Sequence, residues 1–235
     1  MRRDLIRAKS PKRDAKNSLE NWVDKLPGVP VFIIGNSPSV KKHDLTLLNN
    51  YFTIGINRVF RIPYDPTILF WQDISLWTTE YDKIHNLQAI KVARNVADPR
   101  KAYFNFHLKP GPFKFEPSKA HILYGSGNSM ILAAQLAVAM GCSTIVLLGC
   151  DCKLNDNGDT SFFGVNQFWS RETLRNCRRA LEYLKKHSPV HVISCGGATD
   201  LWPEQTLEEV LQSIDPIHKR DRQSYVAQLM SKTHF

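Results

Sequence analysis

No stretch of this sequence is long and apolar enough to cross a bilayer, which takes ~18 residues. The best candidate, 129–140, is broken by Gln135 and stopped by Gly141, so no membrane span is expected. The opening Met-Arg-Arg-Asp has no apolar signal core behind it, and no secretory leader is expected either. Five cysteines are an odd number for a disulfide framework in 235 residues; they read as reduced thiols of a cytoplasmic protein. Cys150-Asp151-Cys152 has the look of half a metal site, yet no second Cys/His pair stands at zinc spacing. There is no G-x-G-x-x-G fingerprint and no Walker lysine motif, so neither common backbone cradle for phosphates is present. Internal repeats and low-complexity segments are missing too, which excludes a solenoid.

What remains is a balance of 43% hydrophobic to 23% charged residues, that of a folded globular chain. Net charge +9 invites a nucleic-acid partner, but its placement decides the matter. Residues 1–16 carry +5 and residues 217–235 carry +3, leaving +1 for 17–216. The expectation is a nearly neutral single α/β domain, 17–216, between a basic N-terminal arm, 1–16, and a basic C-terminal tail, 217–235. Such ends are either solvated or hold a polyanion in a salt-dependent way.

The apolar pattern predicts a short helix over 19–26, capped by Asn17 or Ser18, and a buried strand over 29–34. A short helix over 40–49 follows, then strands at 51–57, 67–73 and 87–93. Residues 98–120 hold aromatics, prolines and lysines without a period and read as a long loop or small lid. Beyond them come a helix over 128–140, a strand over 143–151, a basic helix from about Arg171 to Lys186, a strand over 190–194 and a capped helix over 203–214. Strands alternating with helices make this a doubly wound, Rossmann-like, mostly parallel sheet with helices on both faces.

In such sheets ligands bind beyond the carboxyl ends of the strands. Four of these strands end in polar residues: Gly35-Asn36-Ser37, Asn57, Gln72-Asp73 and Gly149-Cys150-Asp151. Asn36, Ser37 and Ser39 either hold a phosphate or sugar hydroxyl or merely start a helix. Gly125-Ser126-Gly127, followed by Asn128 and Ser129, either presents helix N–H groups to an anion or makes a tight turn with a cap. Asp151 is placed to take a ribose, a metal or an acceptor hydroxyl, or to cap the next segment. Arg171, Arg175 and Arg178 share a helix face that either clamps phosphates or an acidic acceptor, or lies in solvent partnered by Glu172 and Glu182. Phe162, Phe163, Phe168 and Trp169 either stack on a base or sugar or belong to the core. His107 and His121 are the histidines near the presumed cleft.

The stretches "VFIIGNSPSVKKHDLTLLNNYFTIGINRVF", "LFWQDISLW" and "YGSGNSMILAAQLAVAMGCSTIVLLGCD" resemble, in order over roughly 29–195, the core of the bacterial CMP-sialic-acid-dependent sialyltransferases. They are similar also to the superfamily of archaeal hydroxymethyldihydropterin diphosphokinase-like proteins. The sialyltransferase resemblance implies a donor-nucleotide loop matched by Asn36 and Ser39, with Ser37 where a second glycine would stand. It implies a donor contact at Asn57, a phosphate-lining Ser126-Gly127, and a Gly-x-Asp matched by Gly149 and Asp151. The family's catalytic histidine after Gly-x-Asp has no counterpart in 155–174, where Asp159 is the nearest carboxylate. The expectation is a transferase using a nucleotide-activated donor, foremost a glycosyltransferase moving a sugar to a hydroxyl acceptor. Gly35, Asn36, Ser37, Ser39, Asn57, Gln72 and 125–127 would bind the donor, and Asp159 or Asp73 would act as base. No cofactor is required, though Mg²⁺ is compatible, and an anionic acceptor such as nucleic acid or lipopolysaccharide would suit the basic ends. The alternatives are a Mg²⁺-dependent diphosphokinase using ATP, with Asp151 or Asp73 on the metal, and a non-enzymatic nucleotide- or polyanion-binding protein.

Overall fold

The computed structural model describes residues 18–100, 102–125, 127–154, 156–164, 170–195, 200–203 and 205–231. The strands are β1 (Pro30–Ile34), β2 (Phe52–Ile56), β3 (Ile68–Trp71), β4 (Ile90–Arg94), β5 (Phe104–Lys109), β6 (Ile122–Tyr124), β7 (Thr144–Leu148) and β8 (His191–Cys195). They form one eight-stranded sheet in the order β6-β5-β4-β3-β2-β1-β7-β8. Every neighbouring pair is parallel. The continuous apolar runs of β1, β2, β3 and β7 follow from this, because parallel strands are covered on both faces.

Period-2 alternation divides each strand between two cores. Val31 and Ile33 of β1 face one cluster, Phe32 and Ile34 the other. The first cluster is closed by α2 (Ser129–Ala139), α3 (Arg171–His187) and α5 (Arg222–Met230) through Ala133, Leu184, Tyr225 and Leu229. The second is closed by α1 (Ile74–Asn86) and α4 (Leu207–Ser213) through Leu76, Ile84, Leu207 and Val210. Helices therefore lie on both faces, as a doubly wound fold requires.

Every residue of α2 is buried, which its small and apolar composition permits. Gln135, the polar break in that run, exchanges two hydrogen bonds with the Tyr124 backbone of edge strand β6, at 2.8 and 2.7 Å. A buried amide is thereby satisfied and the sheet edge is tied to its central helix. The chain runs outward from β1 to β6 on one flank and returns to β7 on the other. The strand order reverses at β1, and a cleft is expected outside its carboxyl end.

Four expectations are corrected. Residues 98–120 are not simply a lid: β5 joins the sheet there, and Phe106 stacks on Phe70 of β3 at 4.8 Å. Its Phe104-x-Phe106 alternation was masked by the lysines and prolines around it. Asp98, fully buried, accepts from the backbone N–H of Ala102 and Tyr103 and fixes the entry to that strand. Residues 217–231, the described part of the expected tail 217–235, are not solvated chain, because α5 buries Tyr225 and Leu229 and Gln228 donates to the Lys25 carbonyl at 2.8 Å. The helix α1 was not expected at all. Its pattern is crossed by Thr78, Thr79 and Asp82, and its polar cap residue Asp73 read as the end of a strand. The helices expected over 19–26 and 40–49 are short 3₁₀ turns, Leu19–Trp22, Pro38–Lys42 and Leu45–Leu48. The basic arm 1–16 lies outside the described residues.

Candidate active site

A cleft of about 510 Å³ opens at the carboxyl ends of β1, β2, β3 and β7. Its wall includes Asn36 and Ser37 after β1, Asn57 and Arg58 after β2, Gln72 and Asp73 after β3, and Gly149, Cys150 and Cys152 after β7. The N-terminus of α2 enters through Gly127, Asn128, Ser129 and Met130, and α3 contributes Thr173 and Cys177. Segments separated by more than a hundred positions in the chain thus meet along one rim. The volume is within the ~300–1,000 Å³ usual for small-molecule sites.

The β1 and β7 turns are locked together below the cleft. Gly35 N–H donates to the Leu148 carbonyl at 2.7 Å and Ser37 N–H to that of Gly149 at 2.9 Å. A Cβ on residue 35 would lie 2.2 Å from the Gly149 oxygen, so this glycine serves the approach of two backbones. Ser39 gives Asp151 both its N–H, at 3.2 Å, and its hydroxyl, while the Asp151 N–H donates to the Ser37 hydroxyl at 3.0 Å. Burial pushes the Asp151 carboxyl above its ordinary value, against the Ser39 hydrogen bonds that lower it. Asp151, Ser39 and Gly35 thus form a latch beneath the cleft and do not line it.

Asn36 and Asn57 are directed differently. Asn36 donates its amide to the Ile56 carbonyl at 2.8 Å, whereas its Oδ1 is buried with no partner among the described residues. A buried unsatisfied acceptor costs about 1–3 kcal/mol, and a ligand hydroxyl or amine would relieve it. Asn57 adopts a left-handed backbone, φ 51°, a conformation asparagine tolerates better than most residues. The Ser129 hydroxyl donates to Asn57 Oδ1 at 3.3 Å and accepts from Gln72 Nε2 at 3.0 Å. One network therefore joins β2, β3 and the first residue of α2. Asn128 caps that helix, its Oδ1 accepting from the N–H groups of Met130 and Ile131 at 3.0 and 3.3 Å. The cap occupies two of the N–H groups expected to meet an anion, leaving the helix dipole and the earlier N–H groups to do so. Gly127 lines the cleft at φ 68°, with nothing near its missing Cβ, so here the glycine answers a backbone need. Gly125 is required on both counts, by its φ of 133° and by the Phe113 ring, 2.3 Å from where its Cβ would stand. Ser126 lies outside the described residues.

Asp73 precedes α1 as its cap residue, yet its side chain makes no capping hydrogen bond. The carboxylate is left at the cleft, where desolvation by the cleft wall pushes it above the ordinary aspartate value, opposed by Arg58 and Arg94. Arg58, with Nε 3.7 Å from Glu80, is the cation among the lining residues. Sequence reasoning passed over it, although it follows Asn57 directly and a charge next to a polar strand end was the available signal.

Other expected site residues stand elsewhere. Asp159 does not line the cleft. Arg171, Arg175 and Arg178 do share a helix face, but it is the one turned away from Thr173 and Cys177, and Arg178 is held by Glu182 and Asp200. The clamp is therefore corrected to a solvent face, as expected when the apolar stripe of α3 covers the sheet. Phe162 belongs to the second core; Phe168 and Trp169 lie outside the described residues. His107 approaches Asn95 at 3.2 Å and His121 approaches Glu20 at 3.4 Å, both away from the cleft.

Similar solved structures are sialyltransferases. CstII from Campylobacter jejuni in complex with cytidine-5'-monophosphate is 16% identical with a TM-score of 0.45, over 72% of this chain and 80% of that one. CST-II in complex with a trisaccharide acceptor and CMP is 15% identical with a TM-score of 0.42, over 73% and 83%. The apo α-2,3-sialyltransferase from Campylobacter jejuni is 15% identical with a TM-score of 0.40, over 84% and 86%. No family model and no curated protein matches the chain. Among the described residues no helix is long and apolar enough to cross a membrane.

Proposed function

We propose that the protein is a transferase of the glycosyltransferase kind, taking a sugar from a nucleotide-activated donor to a hydroxyl acceptor. The observation that carries this reading is the meeting of four strand ends and the start of α2 around one cleft. The Asn36 acceptor and the Asn57–Ser129–Gln72 network suit a nucleoside's hydroxyls and amine; Arg58 and the positive end of α2 suit its phosphate. Asp73 takes the acceptor proton as that oxygen attacks the sugar's anomeric carbon. The bond from that carbon to the phosphate oxygen breaks, and its electron pair leaves with the nucleotide. Arg58 and the helix dipole stabilise the charge that develops there, and preorganised donors of this kind are usually the largest rate term.

Two readings are set aside. A diphosphokinase would place magnesium on Asp151 or Asp73, but Asp151 is spent on Ser39, which leaves Asp73 as the single carboxylate among the described residues lining the cleft. Among the described residues no three His, Cys, Asp or Glu side chains gather to hold a metal. A polyanion-binding protein working through its C-terminal charges is less well supported, because α5 packs on the core and its Arg222 is paired with Asp65.

Titration calorimetry with CMP and a panel of nucleoside diphosphates tests the proposal. Saturable binding of one of them, weakened in Asn36→Ala at unchanged melting temperature, is expected. Absence of binding across the panel overturns it.

A further inference from the structure

Glu80 is a buried carboxylate on α1, its side chain 4% exposed, and three cations meet on it. Arg61 Nη2 donates to its Oε1, Lys83 Nζ to its Oε2 at 3.1 Å, and Arg58 Nε stands 3.7 Å from Oε1. The two arginines flank a 3₁₀ turn, Val59–Arg61, in which the Arg61 N–H donates to the Arg58 carbonyl at 2.9 Å. Side chains three residues apart eclipse in such a turn, so both guanidinium groups come to one side. Buried Val59 pins the turn to the second core. Of these charged residues Arg58 lines the cleft, whereas Glu80, Arg61 and Lys83 stand behind it.

Helix α1 leaves helical geometry at Glu80, with φ −131° and ψ 16°. Such a local departure persists where the surroundings over-determine it, and here the bent residue is the one that carries the ion pairs. Burial alone would push the Glu80 carboxyl up; the hydrogen bonds from Arg61 and Lys83 outweigh it and hold the group below the ordinary glutamate value. One negative charge among three positive ones leaves a surplus of two beside the cleft. A terminal phosphate near neutral pH carries about −1.5 to −2, which this surplus matches.

We propose that Glu80 is a positioning residue, which through Arg58 sets where the phosphate of the leaving nucleotide is met. The inference rests on the function proposed above, in which Arg58 takes that phosphate. Arg61 and Lys83 fix the carboxylate, and the carboxylate fixes Arg58 by its Nε. Among the described residues the Arg58 guanidinium has no other ion pair or hydrogen bond, so its two Nη groups are left for the ligand. An arginine already held at Nε has less freedom to lose when the phosphate arrives, which is preorganisation.

Removing the Glu80 charge has two opposed effects, and their sign separates positioning from simple neutralisation. If the carboxylate only offset the cations, Glu80→Gln would make the cleft more positive and tighten nucleotide binding. If it holds Arg58, the arginine is released and binding weakens. Titration calorimetry with CMP, UDP and their nucleosides, on the full-length protein and on Glu80→Gln, reads that sign. Expected is a loss of about tenfold, 1.4 kcal/mol, for the nucleotide that binds, with its nucleoside unaffected. In an Arg58→Ala background Glu80→Gln should cost nothing more, because the two residues act as one unit. Tighter nucleotide binding, an equal fall for nucleotide and nucleoside, or a Glu80 effect that survives without Arg58 overturns the proposal. Glu80→Asp, which withdraws the charge by one methylene, takes the place of the glutamine variant should that fail to fold, with the same phosphate-selective loss expected.

Inorganic pyrophosphate on the same samples separates this inference from the function it rests on. Pyrophosphate bound by the parent and weakened in Glu80→Gln, with neither nucleotide bound, defeats the nucleotide reading and keeps the Glu80–Arg58 unit. A nucleotide bound equally by parent and variant defeats only the role of Glu80. A parent protein that binds neither nucleotide nor pyrophosphate defeats both.

Discussion

Two polar turns meet at the same rim and divide their side chains differently: the first sends Asn36 and Ser37 to the cleft but Gly35 and Ser39 to a contact beneath it, whereas the second opens a helix directly over the cleft. Residues 35–39 follow β1, whose neighbour in the sheet is β7 with Ile34 beside Leu148, so the two turns press on each other. Gly35, Ser39 and Asp151 are consumed by that contact. Residues 127–129 open α2 over the cleft, and there Ser129 gathers Asn57 and Gln72 around empty space. Polar character after a buried strand is therefore ambiguous by itself. It becomes a latch where the adjacent strand's turn is in contact and a site where the neighbour is a cavity.

The comparison is broken most decisively at Asp73. If it is the base, Asp73→Asn lowers kcat by about 10²–10⁴-fold, the usual range for general-base catalysis, and leaves nucleotide affinity and melting temperature unchanged. The carboxylate must be ionised to act, and its surroundings raise its pKa. The rate therefore climbs with pH through a midpoint above the ordinary aspartate value, and that limb disappears in the asparagine variant. A fall in melting temperature with turnover preserved would move Asp73 to the latch side.

Asp151 gives the converse result. Asp151→Ala orphans the buried N–H and hydroxyl of Ser39, at a cost of about 1–3 kcal/mol, which at this chain length is ~2–4 °C in melting temperature per kcal/mol. Asp151→Asn keeps both contacts, its amide oxygen accepting from the Ser39 N–H and its amide nitrogen donating to the Ser39 hydroxyl. It also escapes the desolvation that raises the carboxyl's pKa. Because that folded-state pKa stands above the unfolded one, the carboxylate's stabilising share declines as pH rises through the window between them, and the asparagine variant loses this slope. Transfer activity in Asp151→Asn should stay close to that of the parent. If it vanishes while the protein remains folded, Asp151 belongs to the chemistry.

The sheet was legible because parallel strands buried on both faces leave continuous apolar runs, as in 31–34 and 145–148. Strand β5 was not, since Asn105 and His107 alternate with its buried phenylalanines and the lysines nearby hide the period. Of the site, Asn36, Asn57, Gln72 and Asp73 were legible as polar ends of apolar runs. That Asp73 lines the cleft while Asp151 is held by Ser39 beneath it was not, because it depends on which turn each carboxylate faces. The arginine face of α3 misled for a related reason: spacing places three side chains on one side of a helix, but the buried Cys177, Ala180 and Leu184 decide which side meets the sheet.

The finest test of the comparison is Ser129, which lies on the boundary between its halves. The hydroxyl is buried like a latch residue, yet both its partners line the cleft. Ser129→Ala removes one acceptor for Gln72 and one donor for Asn57, and each amide can turn to water in the cleft. The loss of stability should therefore fall at the low end of ~0.5–1.5 kcal/mol for an ordinary hydrogen bond. With a nucleotide bound, that water is excluded and the two amides must be held in register to meet it. Affinity should then drop by about three- to tenfold, tenfold being 1.4 kcal/mol. Calorimetry and thermal melts on the same sample read the two effects together. Weakened binding with a nearly unchanged melt places Ser129 with the site; a lowered melt with unchanged affinity makes it a second latch, and the contrast between the two turns dissolves.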